Sequence, residues 1–150
     1  MAVRDVEVLV REFYDRLWNQ WDDEHVESIL SDDFHFRGSL GQTTSGRRAW
    51  REYRDRVRSA APDFHNEILE MIASGDRAAV RLRYTGTHAG HLLGHPPTGR
   101  RFSYEGTAFF TRTDDRLVRG WVLGDRAGLD EQLRQEPLTG TRESSRTAAR

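Results

Sequence analysis

The sequence predicts a single α+β domain, a cone in which N-terminal helices pack on a curved antiparallel sheet. Apolar residues recur with helical spacing up to Pro62, whereas from Phe64 onward they alternate as in strands joined by tight turns. Helices followed by a run of strands are typical of α+β folds with the helices on one face of the sheet. A sheet that curls around such helices has an apolar interior and one open mouth, which suits a small molecule.

The helices are predicted from their apolar spacing and their end signals. The first, in "DVEVLVREFYDRLW", has one apolar stripe with Tyr14 and Trp18 beside it. A short second helix, in "DDEHVESIL", begins at Asp22 or Asp23 as N-cap, and "DDFHFRG" then predicts a short extended segment. A third helix, in "SGRRAWREYRDRVRSAAP", is capped by Ser45 and ends at Pro62, since proline cannot continue a helix.

Two hairpins account for the long strands. "FHNEILEMIAS" and "RAAVRLRYTGTH" flank the dipeptide GD, and "RFSYEGTAFFTRT" and "RLVRGWVLGD" flank the dipeptide DD, both of which favour tight turns. "RAGLDEQLRQ" predicts a short closing helix. We expect the cone domain to span residues 1–136. Residues 137–150 have no apolar period and are predicted to be a disordered tail.

The composition argues against several classes of protein. Basic and acidic side chains number 23 and 24, so the net charge of −1 creates no field that would recruit nucleic acid or a membrane surface. The chain has no cysteine, which excludes disulfides, thiolate zinc sites and a cysteine nucleophile. The N-terminus carries charges every few residues and lacks the apolar stretch of a signal peptide. We therefore expect a cytoplasmic protein.

Three histidines in "GTHAGHLLGHPPTGRR" raise the question of a metal site. His88, His91 and His95 could hold zinc if a helix brought them together, but the glycines and prolines among them exclude a helix. We therefore expect a wide turn and no bound metal. His88 shares the parity of the apolar strand residues before it, so we expect it to face the core near the mouth, either as a structural histidine or in the site. His91 and His95 are expected to be loop residues.

Asp125 is the strongest acid/base candidate, although a structural role is equally open at this point. It shares a parity with Trp121 at the end of an apolar strand, where poor solvation would raise the pKa of its carboxyl group. Alternatively, Asp125 is the N-cap of the closing helix, and spacing alone slightly favours that role.

Aromatic residues on the helices and strands are the candidates for the wall of the pocket. The set comprises Tyr14, Trp18, Trp50, Tyr53, Phe64, Phe109 and Trp121. Tyr14 has an additional chemical claim, since its hydroxyl group could donate to an enolate or ketone oxygen. By contrast, the six arginines of "GRRAWREYRDRVR" are expected to form a solvated helix face paired with Glu52 and Asp55.

Several of these segments together resemble the SnoaL-like polyketide cyclase (ester cyclase) family. The similarity is carried by "GTHAG", "HPPTG", "WVLGD" and "LDEQL", with further likeness in "FYDRLWNQWD" and "FHFRG", and it spans nearly residues 5–135. The resemblance implies the nuclear transport factor 2-like cone that is shared with ketosteroid isomerase and limonene epoxide hydrolase. In the cyclases of this family, the aspartate of W-x-x-x-D is the acid/base of an intramolecular aldol closure, and Asp125 holds that position here.

The resemblance leads to a concrete hypothesis about the reaction. We expect an enzyme without a cofactor that cyclises or isomerises a hydrophobic, carbonyl-bearing small molecule such as a polyketide, with Asp125 removing a C–H proton and His88 or Tyr14 stabilising the enolate. Two alternatives remain: a non-catalytic binding or dimerisation module of the same fold, and an epoxide hydrolase-like enzyme. No nucleic-acid or membrane partner is expected, whereas a homodimer with a partly polar interface is.

Overall fold

The computed structural model describes residues 2–134, so the predicted tail, 137–150, lies outside the described residues. The helices are α1 (Val6–Glu12), which continues into a π-helical segment (Phe13–Trp18), α2 (Val26–Ile29), α3 (Arg47–Ala60) and α4 (Arg126–Leu133). The strands are β1 (Leu30–Arg37), β2 (Thr43–Ser45), β3 (His65–Ser74), β4 (Arg77–Thr87), β5 (Arg101–Thr113) and β6 (Arg116–Gly124).

The six strands form one curved sheet in the order β2-β1-β6-β5-β4-β3. All neighbouring strands are antiparallel except β1 and β6, which are parallel. The predicted α+β cone with helices on a curved sheet is therefore confirmed, while one strand pair departs from the antiparallel expectation. The sheet does not close into a barrel, because β2 and β3 remain its two edges.

The two hairpins are where the sequence placed them. β3 and β4 pair with Ser74 opposite Arg77, and β5 and β6 pair with Thr113 opposite Arg116, so each turn has two residues. Gly75 adopts φ +58° in the first turn, a conformation that costs glycine little. Asp114 adopts φ +52° in the second, which aspartate tolerates better than most residues.

The N-terminal ends of the central helices differ from the prediction. Ser45 is not the cap of α3: it ends β2, and its hydroxyl group is 2.7 Å from Nδ1 of His35. Gly46 precedes α3 instead, with φ +89°, and no side chain caps this helix. Asp22 does act before the short α2, since its carboxylate accepts a hydrogen bond from the backbone N–H of His25 at 3.2 Å.

The π-helical segment brings four large side chains into the core directly after α1. Phe13, Tyr14, Leu17 and Trp18 are each at most 4% exposed. The backbone N–H of Asn19 donates to the carbonyl oxygen of Tyr14 at 2.8 Å, a bond that spans five residues rather than four. Such widened turns are rare and occur frequently at functional sites.

The face of β6 is the main error of the strand predictions. Val122 is buried, whereas Trp121 and Leu123 are 41% and 52% exposed, so the predicted inward face points out. Gly120 faces inward, and a Cβ atom there would lie 2.9 Å from the ring of Phe110 and 3.0 Å from that of Phe36. The aromatic rings on the inner side of β6 thus belong to the neighbouring strands. They can pack closely against β6 because Gly120 has no side chain.

Candidate functional site

A narrow apolar cavity lies between the helices and the inner face of the sheet. Its volume is about 40 Å³, which is room for a few water molecules. Its wall is formed by the π-helical segment, α3 and the inner residues of the strands. The lining residues are Tyr14, Trp18, Phe36, Ser39, Leu40, Tyr53, Val57, Ala60, Ala61, Phe64, Asn66, Tyr84, Leu92, Phe102, Tyr104 and Val122.

Two tyrosine hydroxyl groups in this wall have no hydrogen-bond partner among the described residues. Tyr14 is 2% exposed and Tyr84 is 3% exposed, and the hydroxyl oxygen of each is fully buried. The indole Nε1 of Trp18 is in the same situation. A buried donor without a partner costs about 1–3 kcal/mol. Three residues of one cavity wall therefore each have a donor that no described residue satisfies.

Burial keeps these phenols protonated. Loss of solvation raises the pKa of Tyr14 and of Tyr84 well above the usual value of 10, and the negative charge that a neighbouring tyrosine would carry raises it further. Burial also raises the pKa of Tyr53 to about 12, although the guanidinium of Arg56 opposes that rise. At neutral pH all three therefore act as hydrogen-bond donors.

Other polar groups of the wall already have partners. The hydroxyl groups of Tyr104 and Ser39 are 2.8 Å apart. The amide of Asn66 donates to the side-chain oxygen of Asn19 at 3.2 Å, and the same oxygen accepts from the backbone N–H of Asn66 at 2.8 Å. These pairs tie β5 to the segment after β1 and β3 to the end of the π-helical segment, so they hold the wall in place.

A wider groove lies against the outer side of this wall. It encloses about 480 Å³ and shares with the cavity the residues Leu40, Tyr53, Val57, Ala60 and Leu92. Its remaining lining residues are Gln42, Arg56, His91, Leu93, Gly94 and Arg126. The groove is therefore the natural path from solvent to the cavity, and a ligand larger than a few waters must displace partly exposed side chains such as Leu40 and Leu92.

The three loop histidines have three different environments. His88 is fully buried, as its parity predicted, and its Nδ1 lies 3.0 Å from the hydroxyl group of Thr98. His91 is exposed and lines the groove. Nε2 of His95 lies 2.8 Å from a carboxylate oxygen of Asp130 of α4, within hydrogen-bond distance. His88 is not among the cavity-lining residues, and burial lowers its pKa, so it is a neutral core histidine.

Asp125 lies on the outside of the cone. Its side chain is exposed, and its Oδ1 accepts a hydrogen bond from the backbone N–H of Gly128 at 3.0 Å, which makes it the N-cap of α4. Asp125 does share a face with Trp121 and Leu123, but that face is the outer one. The cap that the spacing favoured is therefore present, and a catalytic role for Asp125 remains a hypothesis without support from its position.

The predicted wall residues divide into three groups. Tyr14, Trp18, Tyr53 and Phe64 line the cavity. Trp50 is fully buried behind Trp18, with their rings 5.7 Å apart, and contributes to the core rather than to the wall. Phe109 and Trp121, whose rings are 6.1 Å apart, lie on the outer face of the sheet and were wrongly predicted to line the pocket.

The strand tyrosines were missed as site residues. Tyr84 and Tyr104 lie opposite each other on β4 and β5, with ring centroids 4.7 Å apart. The sequence did contain a signal for them, since Tyr84 has the same parity as His88 and Tyr104 has the same parity as Phe102. Their meeting depends on the register of two strands, however, and the sequence pattern does not fix that register.

We expect substitutions of Asp125 to affect the closing helix rather than the cavity. Asp125→Ala should lower the free energy of unfolding by about 1 kcal/mol, whereas Asp125→Asn should leave it nearly unchanged, because asparagine caps a helix about as well as aspartate. Urea unfolding measures both values. Turnover by the Asn variant should stay within a few-fold of wild type; a stable Asn variant that loses about 10² of its turnover would instead establish the carboxylate as an acid/base.

Within residues 2–134, no three or more histidine and acidic side chains come close enough together to hold a metal ion. None of the described residues that line the cavity is a carboxylate, a histidine or a lysine. The described helices are also too short or too polar to cross a membrane.

Comparison with known proteins identifies the family. The sequence model of the SnoaL-like polyketide cyclase family matches residues 8–133. This range is most of the chain and includes every element that forms the cavity. The chain belongs to the SnoaL-like polyketide cyclase family. The resemblance seen in the sequence is thereby confirmed. No curated protein matches the sequence significantly.

Solved structures of other proteins share the fold. TsrD from Streptomyces laurentii is 26% identical, with 86% of this chain and 94% of that chain aligned and a TM-score of 0.75. AclR from Streptomyces galilaeus, described as a proposed hydroxylase, is also 26% identical, with 85% and 94% aligned and a TM-score of 0.72. IdmH from Streptomyces antibioticus, described as a proposed polyketide cyclase, is 24% identical, with 87% and 99% aligned and a TM-score of 0.75.

Proposed function

We propose that this SnoaL-like protein is an enzyme that cyclises or isomerises a hydrophobic, carbonyl-bearing small molecule of the polyketide type. The observation that carries the proposal is the pair of buried, unpartnered hydroxyl groups of Tyr14 and Tyr84 in an apolar cavity. Membership of a cyclase family supports the same class of reaction.

The chemistry follows from where negative charge develops. Loss of a proton from the carbon beside a carbonyl group gives an enolate, and the charge accumulates on its oxygen. Buried hydroxyl donors stabilise that oxygen more in the enolate than in the ketone, and in an apolar cavity this difference lowers the barrier. Tyr14 and Tyr84 are suited to this role because they have no competing partner and keep their protons at neutral pH.

The cavity also limits the conformations of the bound molecule. Its wall is mostly aromatic, with the rings of Phe64 and Tyr84 stacked at 5.9 Å. A flexible poly-carbonyl chain held folded between such rings has its reacting carbons brought together, which contributes through effective concentration rather than through a charged group. We assign removal of the carbon-bound proton to the imidazole of His91, which lines the groove and can act as the base, because no described side chain that lines the cavity is a carboxylate or a histidine.

Deuterium exchange at the acidic carbon of 2-tetralone tests this function. The purified protein in D₂O should accelerate the exchange, followed by proton NMR, because formation of the enolate is the step that the cavity favours. Val57→Trp should abolish the acceleration, since Val57 lies between groove and cavity and is only partly buried. Circular dichroism and the melting temperature check that this variant folds.

Two outcomes would contradict the proposal. Exchange by Val57→Trp at the wild-type rate would place the chemistry elsewhere. Saturable binding of 2-tetralone without any acceleration would favour the non-catalytic binding module that the sequence left open.

A further inference from the structure

Two guanidinium groups line the groove outside the cavity. Arg56 of α3 and Arg126 of α4 both line it, together with His91. No acidic side chain is among its lining residues. Within residues 2–134, neither Arg56 nor Arg126 has a carboxylate oxygen within 4.0 Å.

The acidic neighbours of these arginines in sequence are already engaged. Asp55, which precedes Arg56, pairs with Arg54 at 3.1 Å. Asp125, which precedes Arg126, caps α4 through the backbone N–H of Gly128. By contrast, most other arginines of the protein have carboxylate partners, as in Arg48–Glu52 on the same helix and Arg81–Glu105 on the sheet. The groove therefore has two guanidinium groups without a carboxylate partner, and these two lie directly beside the cavity.

The position of the two arginines relates them to the cavity. The side chain of Arg126 donates to the backbone carbonyl of Leu40 at 3.0 Å, and Leu40 lines both groove and cavity. Arg56 lies close enough to Tyr53 for its charge to act on that phenol, and Tyr53 is also shared by both spaces. The anionic group of a ligand held between these arginines would thus lie directly outside the cavity wall. The apolar part of the same ligand could then extend into the cavity.

We infer that the substrate of this protein is an amphipathic acid, whose carboxylate is bound in the groove by Arg56 and Arg126 while its apolar, carbonyl-bearing part occupies the cavity. Guanidinium groups suit this task, because each offers several donors in a planar fork that matches a carboxylate. The inference rests on the proposed function, since it concerns the substrate of that same cavity. It adds a charge requirement that the cavity itself does not have.

The test compares two ligands of the same shape. Calorimetric titration of the wild-type protein with 2-naphthoate and with its neutral amide, 2-naphthamide, should give tighter binding of the acid by about tenfold, the effect of one hydrogen bond to a charged group. Arg56→Gln and Arg126→Gln should each reduce this ratio of dissociation constants, and the double variant should bring it close to one. Arg48→Gln is the matched control, because Arg48 is exposed on the same helix but does not line the groove.

The outcomes separate this inference from the proposed function. If neither ligand binds, the cavity is not a ligand site, and both proposals are wrong. If both bind with equal affinity, the cavity stands and the carboxylate site is wrong. A preference for the acid that survives in the double variant would also overturn the assignment to Arg56 and Arg126. Stronger competition by inorganic phosphate than by acetate would assign the groove to a phosphate group and would overturn the carboxylate.

Discussion

Replacing Arg54 with methionine is expected to lower the free energy of unfolding by about 3 kcal/mol, within the range for breaking a buried ion pair. Arg54 is 1% exposed although it lies in the middle of a run of arginines. Its guanidinium donates to the carbonyl oxygens of Leu17 and Asp22 at 3.2 and 3.0 Å and to the carboxylates of Asp23 and Asp55. Methionine fills much of the volume but leaves these acceptors without a donor.

The size of the effect depends on which acceptors can turn to water. The side chains of Asp23 and Asp55 are 55% and 57% exposed, so solvent can replace Arg54 there. The carbonyl of Leu17 lies in a buried contact and cannot be hydrated in the same way. The indole of Trp50, whose ring centre is 5.4 Å from the guanidinium carbon, loses a cation–π contact as well.

Urea unfolding measures the loss, and Arg48→Met is the matched control. Arg48 is on the same helix and its side chain is 94% exposed, with a single ion pair to Glu52, so its replacement should cost about 0.5 kcal/mol or less. Because Leu17 belongs to the π-helical segment and Trp50 packs against Trp18 of the same segment, we also expect Arg54→Met to weaken the cavity wall. A loss of less than about 1 kcal/mol would mean that the buried guanidinium contributes little more than a surface pair does.

The case of Arg54 shows what sequence patterns do and do not determine. Six arginines within thirteen residues predict a solvated helix face, and for Arg48 this is true. Arg54 differs because its helix position faces the end of the π-helical segment and the residues after it, where the backbone carbonyls of Leu17 and Asp22 accept its hydrogen bonds. That segment is brought there by tertiary packing, so no pattern local to α3 identifies the one arginine that is buried.

Alternation predicted the faces of the strands only where the larger residues point inward. On β4, Val80, Leu82 and Tyr84 alternate with arginines, and the prediction of their inward face is confirmed. On β6 the inward positions include Gly120 and Val122 while Trp121 points out, so choosing the larger residues selects the wrong face. The inward face of β6 is indicated instead by Gly120, which lies beneath aromatic rings of the neighbouring strands. That indication can be recognised only when the strand order is known.

The candidate site was predictable in part for the same reason. Tyr14, Trp18 and Tyr53 were expected in the wall because they lie beside apolar helical stripes. Tyr14 and Tyr84 both line the cavity, although they lie on a helix and a strand and are 70 positions apart in the chain. Nothing local couples them, so the unpartnered hydroxyl groups could be found only in the folded structure.

Removal of these two hydroxyl groups is expected to have the largest effect on activity. Tyr14→Phe and Tyr84→Phe should each slow the exchange of 2-tetralone by about tenfold or more, and the double variant by about 10²–10³, the usual effect of removing enolate-stabilising donors. Stability should hold or rise, because each substitution removes a buried polar group that has no partner among the described residues. Loss of activity together with unchanged or higher stability is the distinguishing result.

The dependence on pH follows from the raised pKa values of Tyr14 and Tyr84. Both groups stay protonated in the folded protein above pH 10, whereas in the unfolded chain they ionise near 10. Ionisation of the unfolded chain therefore lowers the free energy of unfolding as the pH rises above 10, and this loss is absent below pH 10. The double phenylalanine variant should consequently lose less stability than wild type above pH 10, as measured by urea unfolding at pH 9 and 11.

Tyr104→Phe provides the contrasting variant. Its hydroxyl group has a partner in Ser39 at 2.8 Å, so its removal should lower the free energy of unfolding by about 1 kcal/mol, the value of an ordinary hydrogen bond. If Tyr14→Phe and Tyr84→Phe destabilised the protein as Tyr104→Phe does, their hydroxyl groups would have partners within the chain. If the double variant kept full exchange activity with 2-tetralone, the tyrosines would not stabilise the enolate, and the proposed mechanism would fail even where the cavity still binds the ketone.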